Sequence, residues 1–237
     1  MSATSDGVKS SVQLVLNTAW DVRDGQVVPS TDDVKLAGGA VSLDATYLYA
    51  DLANSSGAAQ RLRREVTGKI LRTYLDAATR IIKRYDGVIR SFDGDRVMGI
   101  FVGNRKNTNA MNAGLGINWA VQEVLKPKLA DKWPTLKDTW TLAHGVGIAT
   151  GDAFIVRGGV RGSNDLVSVG EAPNVAAKLS ALRGWPSTYV TKTVFDECLD
   201  DARFSRGDNE LMWSNFDTQW IGGKSYSVKG STWWRTP

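Results

Sequence analysis

Tyr47-Leu48-Tyr49-Ala50-Asp51-Leu52 alternates with period two, the mark of a strand with two unlike faces. Tyr47, Tyr49 and Asp51 fall on one face, Leu48 and Ala50 on the other. A slip of one residue would exchange the faces, so this stretch permits few registers. The strand ends on a carboxylate and enters the small-residue turn Ala53-Asn54-Ser55. A second acidic site follows in Phe92-Asp93-Gly94-Asp95-Arg96, where Asp-Gly between two apolar runs predicts a hairpin. Two carboxylate sites at strand ends suit a pair of oxygen-preferring divalent cations. On spacing alone they also read as ordinary turn aspartates.

Between the two sites the spacing predicts one long helix over 58–85. Leu62, Val66, Ile70, Tyr74, Ala78, Ile81 and Tyr85 form its apolar stripe, with Gly87 as a left-handed stop. Strands over 88–92 and 97–102, a helix over 109–125 and a strand over 140–149 follow. The order β-α-β-β-α-β is the ferredoxin-like, or split βαβ, unit: an α+β fold with an antiparallel central sheet and helices packed on it. Its first and third strands are central antiparallel neighbours. Asp51 and Asp95 are therefore expected to converge at one sheet edge, with Tyr49 on the face of Asp51.

The rest of the chain reads more coarsely. Residues 1–44 form a lead-in and 45–237 the main domain. The segment 126–137, with Pro127 and Pro134, reads as a loop. Thr150-Gly151 reads as a turn into a second hairpin over 153–160 and 166–169. A helix starts at Gly170-Glu171-Ala172-Pro173 and stops at Gly184. Trp213, Trp220, Trp233 and Trp234 in the tail read as packing residues.

Composition removes several kinds of chemistry. One cysteine, Cys198, and one histidine, His144, exclude an intrachain disulfide, a His/Cys zinc site and a Ser-His-Asp triad. No apolar run is long enough to span a membrane. The N-terminus lacks a charged-then-apolar signal, so a cytoplasmic location is expected. Net charge is +4, and the basic residues between Arg61 and Arg96 read as a solvated helix face, not a nucleic-acid surface. No phosphate loop and no Gly-x-Gly-x-x-Gly follows a strand, so nucleotide binding would lean on metal.

With both acidic sites, the turn Gly147-Ile148-Ala149-Thr150-Gly151 and the helix over 170–179 in place, the chain resembles class III nucleotidyl cyclases. The lead-in Trp20-Asp21-Val22-Arg23-Asp24-Gly25, with Thr31-Asp32-Asp33 and Leu43-Asp44-Ala45-Thr46, is similar to a narrower group, the pyrimidine cyclases of Pycsar antiphage defence. The resemblance implies cyclisation of a nucleoside triphosphate, UTP before CTP, with two Mn²⁺ or Mg²⁺ ions per site. It implies Asp51 and Asp95 as metal ligands, with the Leu52 carbonyl beside them. Asn174 and Lys178 match the positions that steady the ribose and the transferring phosphate; the family usually has arginine where Lys178 stands. Lys224 or Arg96 would bind the terminal phosphates. Ser91 and Val167 match the base-reading positions, and neither reads a purine edge as adenylate or guanylate cyclases do. Tyr49 adds bulk that suits a smaller base. The family works as a homodimer with shared sites. An inactive nucleotide-binding module and a diguanylate cyclase are the other readings; the second lacks its Gly-Gly-Asp/Glu-Glu-Phe signature here.

Overall fold

The computed structural model describes residues 3–184 and 186–237. Met1 and Ser2, the start of the N-terminus read for targeting, lie outside them. The elements run α1 (Ala3–Asn17), β1 (Asp21–Gly25), β2 (Gly39–Ala53), α2 (Ser55–Arg61), α3 (Arg64–Arg84), β3 (Val88–Asp93), β4 (Arg96–Phe101), α4 (Lys106–Trp119), α5 (Lys126–Lys132) and β5 (Ala143–Val160). They continue through β6 (Ser163–Val169), α6 (Glu171–Ser180), β7 (Thr188–Thr191), α7 (Lys192–Glu197), α8 (Asp200–Arg203), β8 (Asp217–Ile221) and β9 (Lys224–Ser231). Among the described residues the sheet order is β3-β4-β2-β5-β7-β9-β8, with β1 on β2 and β6 on β5. The β3-β4-β2-β5 part, antiparallel throughout, is the expected split-βαβ order.

Alternation along β2 builds a core on each face. Leu48, Ala50 and Leu52 pack under α3 and α4, with Ile70, Tyr74, Ile82, Met111 and Leu115. Tyr47 packs on the opposite face with Met98, Ala149, Val175, Ala176 and Leu179, and Tyr49 lies against that group. Each fully buried large side chain contributes about 1.5–3 kcal/mol. The boundary expected at residue 44 falls inside β2, which starts at Gly39. The first residues of the central strand thus belong to the expected lead-in.

Several local expectations need correction. The helix over 58–85 is two helices, because Leu62 and Arg63 are extended. Leu62 stays packed on the core, so the apolar spacing continues across the break. At the end of α3 the left-handed residue is Asp86, φ 63°, not Gly87. Gly87 is needed for space: a Cβ there would lie 2.6 Å from Ile82 Cγ2 and 2.7 Å from the Phe101 ring. The segment 126–137 is not a loop throughout, since α4 passes through a π-helical turn, Ala120–Leu125, into α5. Pro127 follows closely on that turn; it has no N–H to donate back into the helix, and the change of winding falls just before it.

Thr150-Gly151 is not a turn. β5 runs unbroken from Ala143 to Val160, and Gly151, φ 150°, stays paired with Ala45. The apolar run 12–16 belongs to α1 and faces solvent. In the tail, Trp213 is buried and its Nε1 donates to the Ala202 carbonyl at 2.8 Å. Trp220 is 75% exposed, and Trp233 and Trp234 are also exposed, so these three are not the buried packing residues expected.

His144 is fully buried beneath the β2 edge, and its Nε2 has no partner. Burial, aided by the Lys126 charge, pushes its pKa from 6.5 down to about 3. The unfolded chain takes up a proton near pH 6.5 that the folded chain refuses until about pH 3. The stability tied to neutral His144 is thus complete above that window and is lost as pH falls through it. Between about pH 7 and 5, wild type should lose about 2 kcal/mol more than His144→Leu, read from urea midpoints at each pH. Equal acid slopes would rule this out.

Candidate active site

β2 and β4 bring the two acidic sites together. Asp51 pairs with Arg96 in the ladder, and the Leu52 N–H donates to the Asp95 carbonyl at 3.3 Å. Asp95 therefore sits beside the end of β2, as expected. The Tyr74 hydroxyl lies beneath both, buried and without a hydrogen-bond partner. Its pKa is pushed well up, first by burial and then by the charges of Asp51 and Asp95. One phenol thus senses both carboxylates.

Asp51 is buried, with its side chain 3% exposed, and two guanidinium groups hold it. Arg183 Nη2 donates to Oδ2 at 2.8 Å, and Arg96 Nε stands 3.6 Å from Oδ1. Arg96 also lies over the Tyr49 ring, 5.9 Å from its centroid. Burial raises the Tyr49 pKa; Arg96 opposes the shift and Asp93 adds to it. Ser91 pairs with Met98, and Met98 with Tyr49. Ser91 and Tyr49 thus share a face about 10 Å apart, two strand spacings. A bulge between Ile89 and Ser91 sets that register.

The donor set fits a hard divalent cation. Among the described residues no three His, Cys, Asp or Glu side chains converge. Two carboxylates and the Leu52 carbonyl leave coordination positions for phosphate oxygens and water, the habit of Mg²⁺ and similar ions. Asp51, Asp95 and Leu52 would hold it.

The other expected residues lie elsewhere in the chain. Asn174 and Lys178 are on α6, one turn apart and both exposed. Ala172, Val175, Ala176 and Leu179 cover the opposite side of α6 and pack on the sheet. The Asn174 amide donates to the Gly170 carbonyl at 2.9 Å. Lys224 is held by both carboxylate oxygens of Glu171 at 2.9 Å, at the start of α6 and on the Asn174 side. This contact lowers the Glu171 pKa and raises that of Lys224. Val167, on β6 shortly before α6, is half-exposed and pairs with Val156 of β5. Asp51, Leu52, Asp95, Arg96, Tyr49 and Ser91 thus form one group. Asn174, Lys178 and Lys224 form another, with the thickness of α6 between them.

Arg183 is the charged contact that the sequence reading missed. It follows α6 in a short loop with no periodicity and no motif. Only the fold turns it back onto Asp51.

A scan against protein-family models finds no match. Solved structures share the fold: the guanylyl cyclase Cya2, TM-score 0.68 and 18% identity, over 83% of this chain and 95% of that one. The adenylyl cyclase CyaB from P. aeruginosa gives 0.67 and 18%, over 83% and 97%. The fold is that of a class III nucleotidyl cyclase catalytic domain. Among curated proteins, a uridylate cyclase of Rhodovulum sp. (strain MB263) is 42% identical over 98% of both chains. One of Xanthomonas perforans is 39% identical over 87% of this chain and 90% of its own. One of Burkholderia cepacia is 37% identical over 98% of both. The chain belongs to the uridylate cyclase family.

The placement of α6 depends on two glycines. Gly145 and Gly147 pair with Asp51 and Tyr49 on the α6 face of the sheet. A Cβ on Gly147 would fall 2.2 Å from the Ala176 carbonyl oxygen and 2.4 Å from the Ser180 nitrogen. Gly147→Ala should push α6 off β5 and cost about 1–3 kcal/mol or more, measured by urea unfolding. Gly68→Ala is the control. It lies on the exposed face of α3 with nothing near its Cβ, and should instead stabilise by roughly 0.5–1 kcal/mol. Equal stability of the two variants would refute the tight contact.

Proposed function

We propose that this protein converts UTP to 3′,5′-cyclic UMP and pyrophosphate, as a second messenger in antiphage defence in the cytoplasm. One observation carries the chemistry: Asp51 and Asp95 meet at one sheet edge with Tyr49 on the same face. The near full-length likeness to proteins described as uridylate cyclases supports the base. The lead-in motifs support the defence role by resemblance. Among the described residues no helix is long and apolar enough to cross a membrane.

In the reaction the ribose 3′-oxygen forms a bond to the α-phosphorus. The bond from that phosphorus to the bridging oxygen breaks, pyrophosphate leaves, and the hydroxyl proton passes to water. Asp51, Asp95 and the Leu52 carbonyl would hold two Mn²⁺ or Mg²⁺ ions, whose chemistry there would be Lewis-acid activation of that hydroxyl and neutralisation of triphosphate charge. Asn174 hydrogen-bonds the ribose, and Lys178 sets positive charge against the transferring phosphate. Tyr49 limits the size of the base. Ser91 bonds a pyrimidine edge directly or through water, while Val167 lines the base without a polar contact.

Asn174 and Lys178 face away from the sheet that holds Asp51, so one chain carries two half-sites. A two-fold dimer would place each α6 outer face over the partner's Asp51 edge and complete two equivalent sites.

Purified protein given each of the four NTPs with Mn²⁺ should yield cyclic UMP as the main product by mass spectrometry. Preference for ATP or GTP would refute the assignment; preference for CTP would move it to cyclic CMP. Tyr49→Leu should lower the ratio of UTP to ATP turnover, within the roughly 10- to 200-fold that shape alone discriminates.

Asp95→Ala and Asn174→Ala should each be inactive yet folded. Mixed with free exchange of chains, they should recover about a quarter of wild-type activity, since half the dimers hold one intact site. A mixture as inactive as its parents, with exchange verified, would exclude shared sites.

A further inference from the structure

Arg183 has no role in the reaction as set out above, yet it makes the shortest polar contact of the buried Asp51 carboxylate. Its guanidinium spans two acceptors. Nη1 donates to the Ser180 carbonyl at 3.1 Å and Nη2 to Asp51 Oδ2 at 2.8 Å. The Asp51 side chain is 3% exposed and that of Arg183 is 48% exposed. One edge of the guanidinium is therefore engaged while its remaining N–H groups face solvent.

A carboxylate this deep requires a counter-charge. Arg96 supplies part of it at 3.6 Å, but Arg96 is also drawn over the Tyr49 ring. Arg183 supplies the closer contact. That contact conflicts with cation ligation: a divalent ion on Oδ2 would share the oxygen with a like charge at hydrogen-bond range. Ion and guanidinium compete for one carboxylate.

The displaced guanidinium needs a new partner. A planar fork of N–H donors matches phosphate oxygens bidentately. Lys224, which lies on the Asn174 side of α6, is already paired with both oxygens of Glu171, so its charge is engaged before any phosphate arrives. The bond to the Ser180 carbonyl tethers Arg183 at the Asp51 edge, within a side chain's reach of any triphosphate bound to the ions.

We propose that Arg183 is the displaceable counter-cation of this site: it holds Asp51 in the resting chain and moves to the terminal phosphates when nucleotide and cation bind. This rests on the cyclase reading of Asp51. It makes cation and nucleotide binding mutually reinforcing, and by linkage each strengthens the other by the same factor. Asp51 alone is then a poor cation site, and the chain gathers ions chiefly together with the substrate.

The test uses full-length wild type, Arg183→Ala, Arg183→Gln, Arg183→Lys and Asp51→Asn, each checked for folding by circular dichroism. Mn²⁺ binding without nucleotide is read from the electron paramagnetic resonance of the free ion. Arg183→Ala and Arg183→Gln should bind Mn²⁺ at least roughly fivefold more tightly than wild type, the lower end of ordinary coupling. Arg183→Lys should fall between them, and Asp51→Asn should lose the site. Calorimetry with Mn²⁺-pyrophosphate should show binding weakened about tenfold in Arg183→Ala and partly restored in Arg183→Lys. A purely structural ion pair would lower thermal stability without tightening Mn²⁺.

Unchanged or weaker Mn²⁺ binding in both folded neutral variants overturns the proposal. If wild type cyclises UTP and that result appears, the counter-cation role falls and the cyclase reading stands. If no NTP is cyclised while the neutral variants still bind Mn²⁺ more tightly, the cyclase reading falls and the competition at Asp51 stands.

Discussion

The long antiparallel ladder between β2 and β5, from Ala40 against Val156 to Ala53 against Ala143, is the constraint that organises this protein. Its register decides which side chains reach each core. With Asp51 opposite Gly145 and Tyr49 opposite Gly147, the polar end of β2 faces the side covered by α6. Leu48, Ala50 and Leu52 face α3 and α4. A shift by one residue would bury Asp51 among the apolar side chains of the α3 face and empty the α6 face of its tyrosines. β4 is held to the same strand, so the position of Asp95 follows from the same register.

The second constraint is how close α6 comes to that ladder. Glycines at 145 and 147 let the helix backbone rest on the strand. This thin contact keeps Asn174 and Lys178 on a shallow outer face instead of on a helix held away by side chains. It also carries the residues after Ser180 back to the β2 edge, which is how Arg183 reaches Asp51. A packing requirement and an electrostatic contact thus have one origin.

Charge at the edge is arranged around a single buried carboxylate. Two guanidinium groups balance Asp51, an unpartnered tyrosine hydroxyl lies behind it, and a neutral histidine sits beneath the strand. Such a site is expensive to leave uncompensated. Arg183, at 2.8 Å, is the closest of these partners.

The sequence by itself determined the faces of β2, the split-βαβ order, and the meeting of Asp51 with Asp95, because period-two alternation and a short hairpin are local and tolerate few alternatives. It did not determine where elements end. Leu62 keeps helical spacing across a break, and Gly151 looks like a turn yet continues a strand. In both cases local chemistry allows two conformations, and packing from distant residues selects one. It was equally silent on Trp220, since an aromatic side chain reads alike whether a core waits for it or not. Only the tertiary structure placed Asn174 and Lys178 on the side of α6 away from Asp51 and turned Arg183 onto that carboxylate. These contacts join residues far apart in the chain, and no spacing rule encodes a distance that is set by how a helix lies on a sheet.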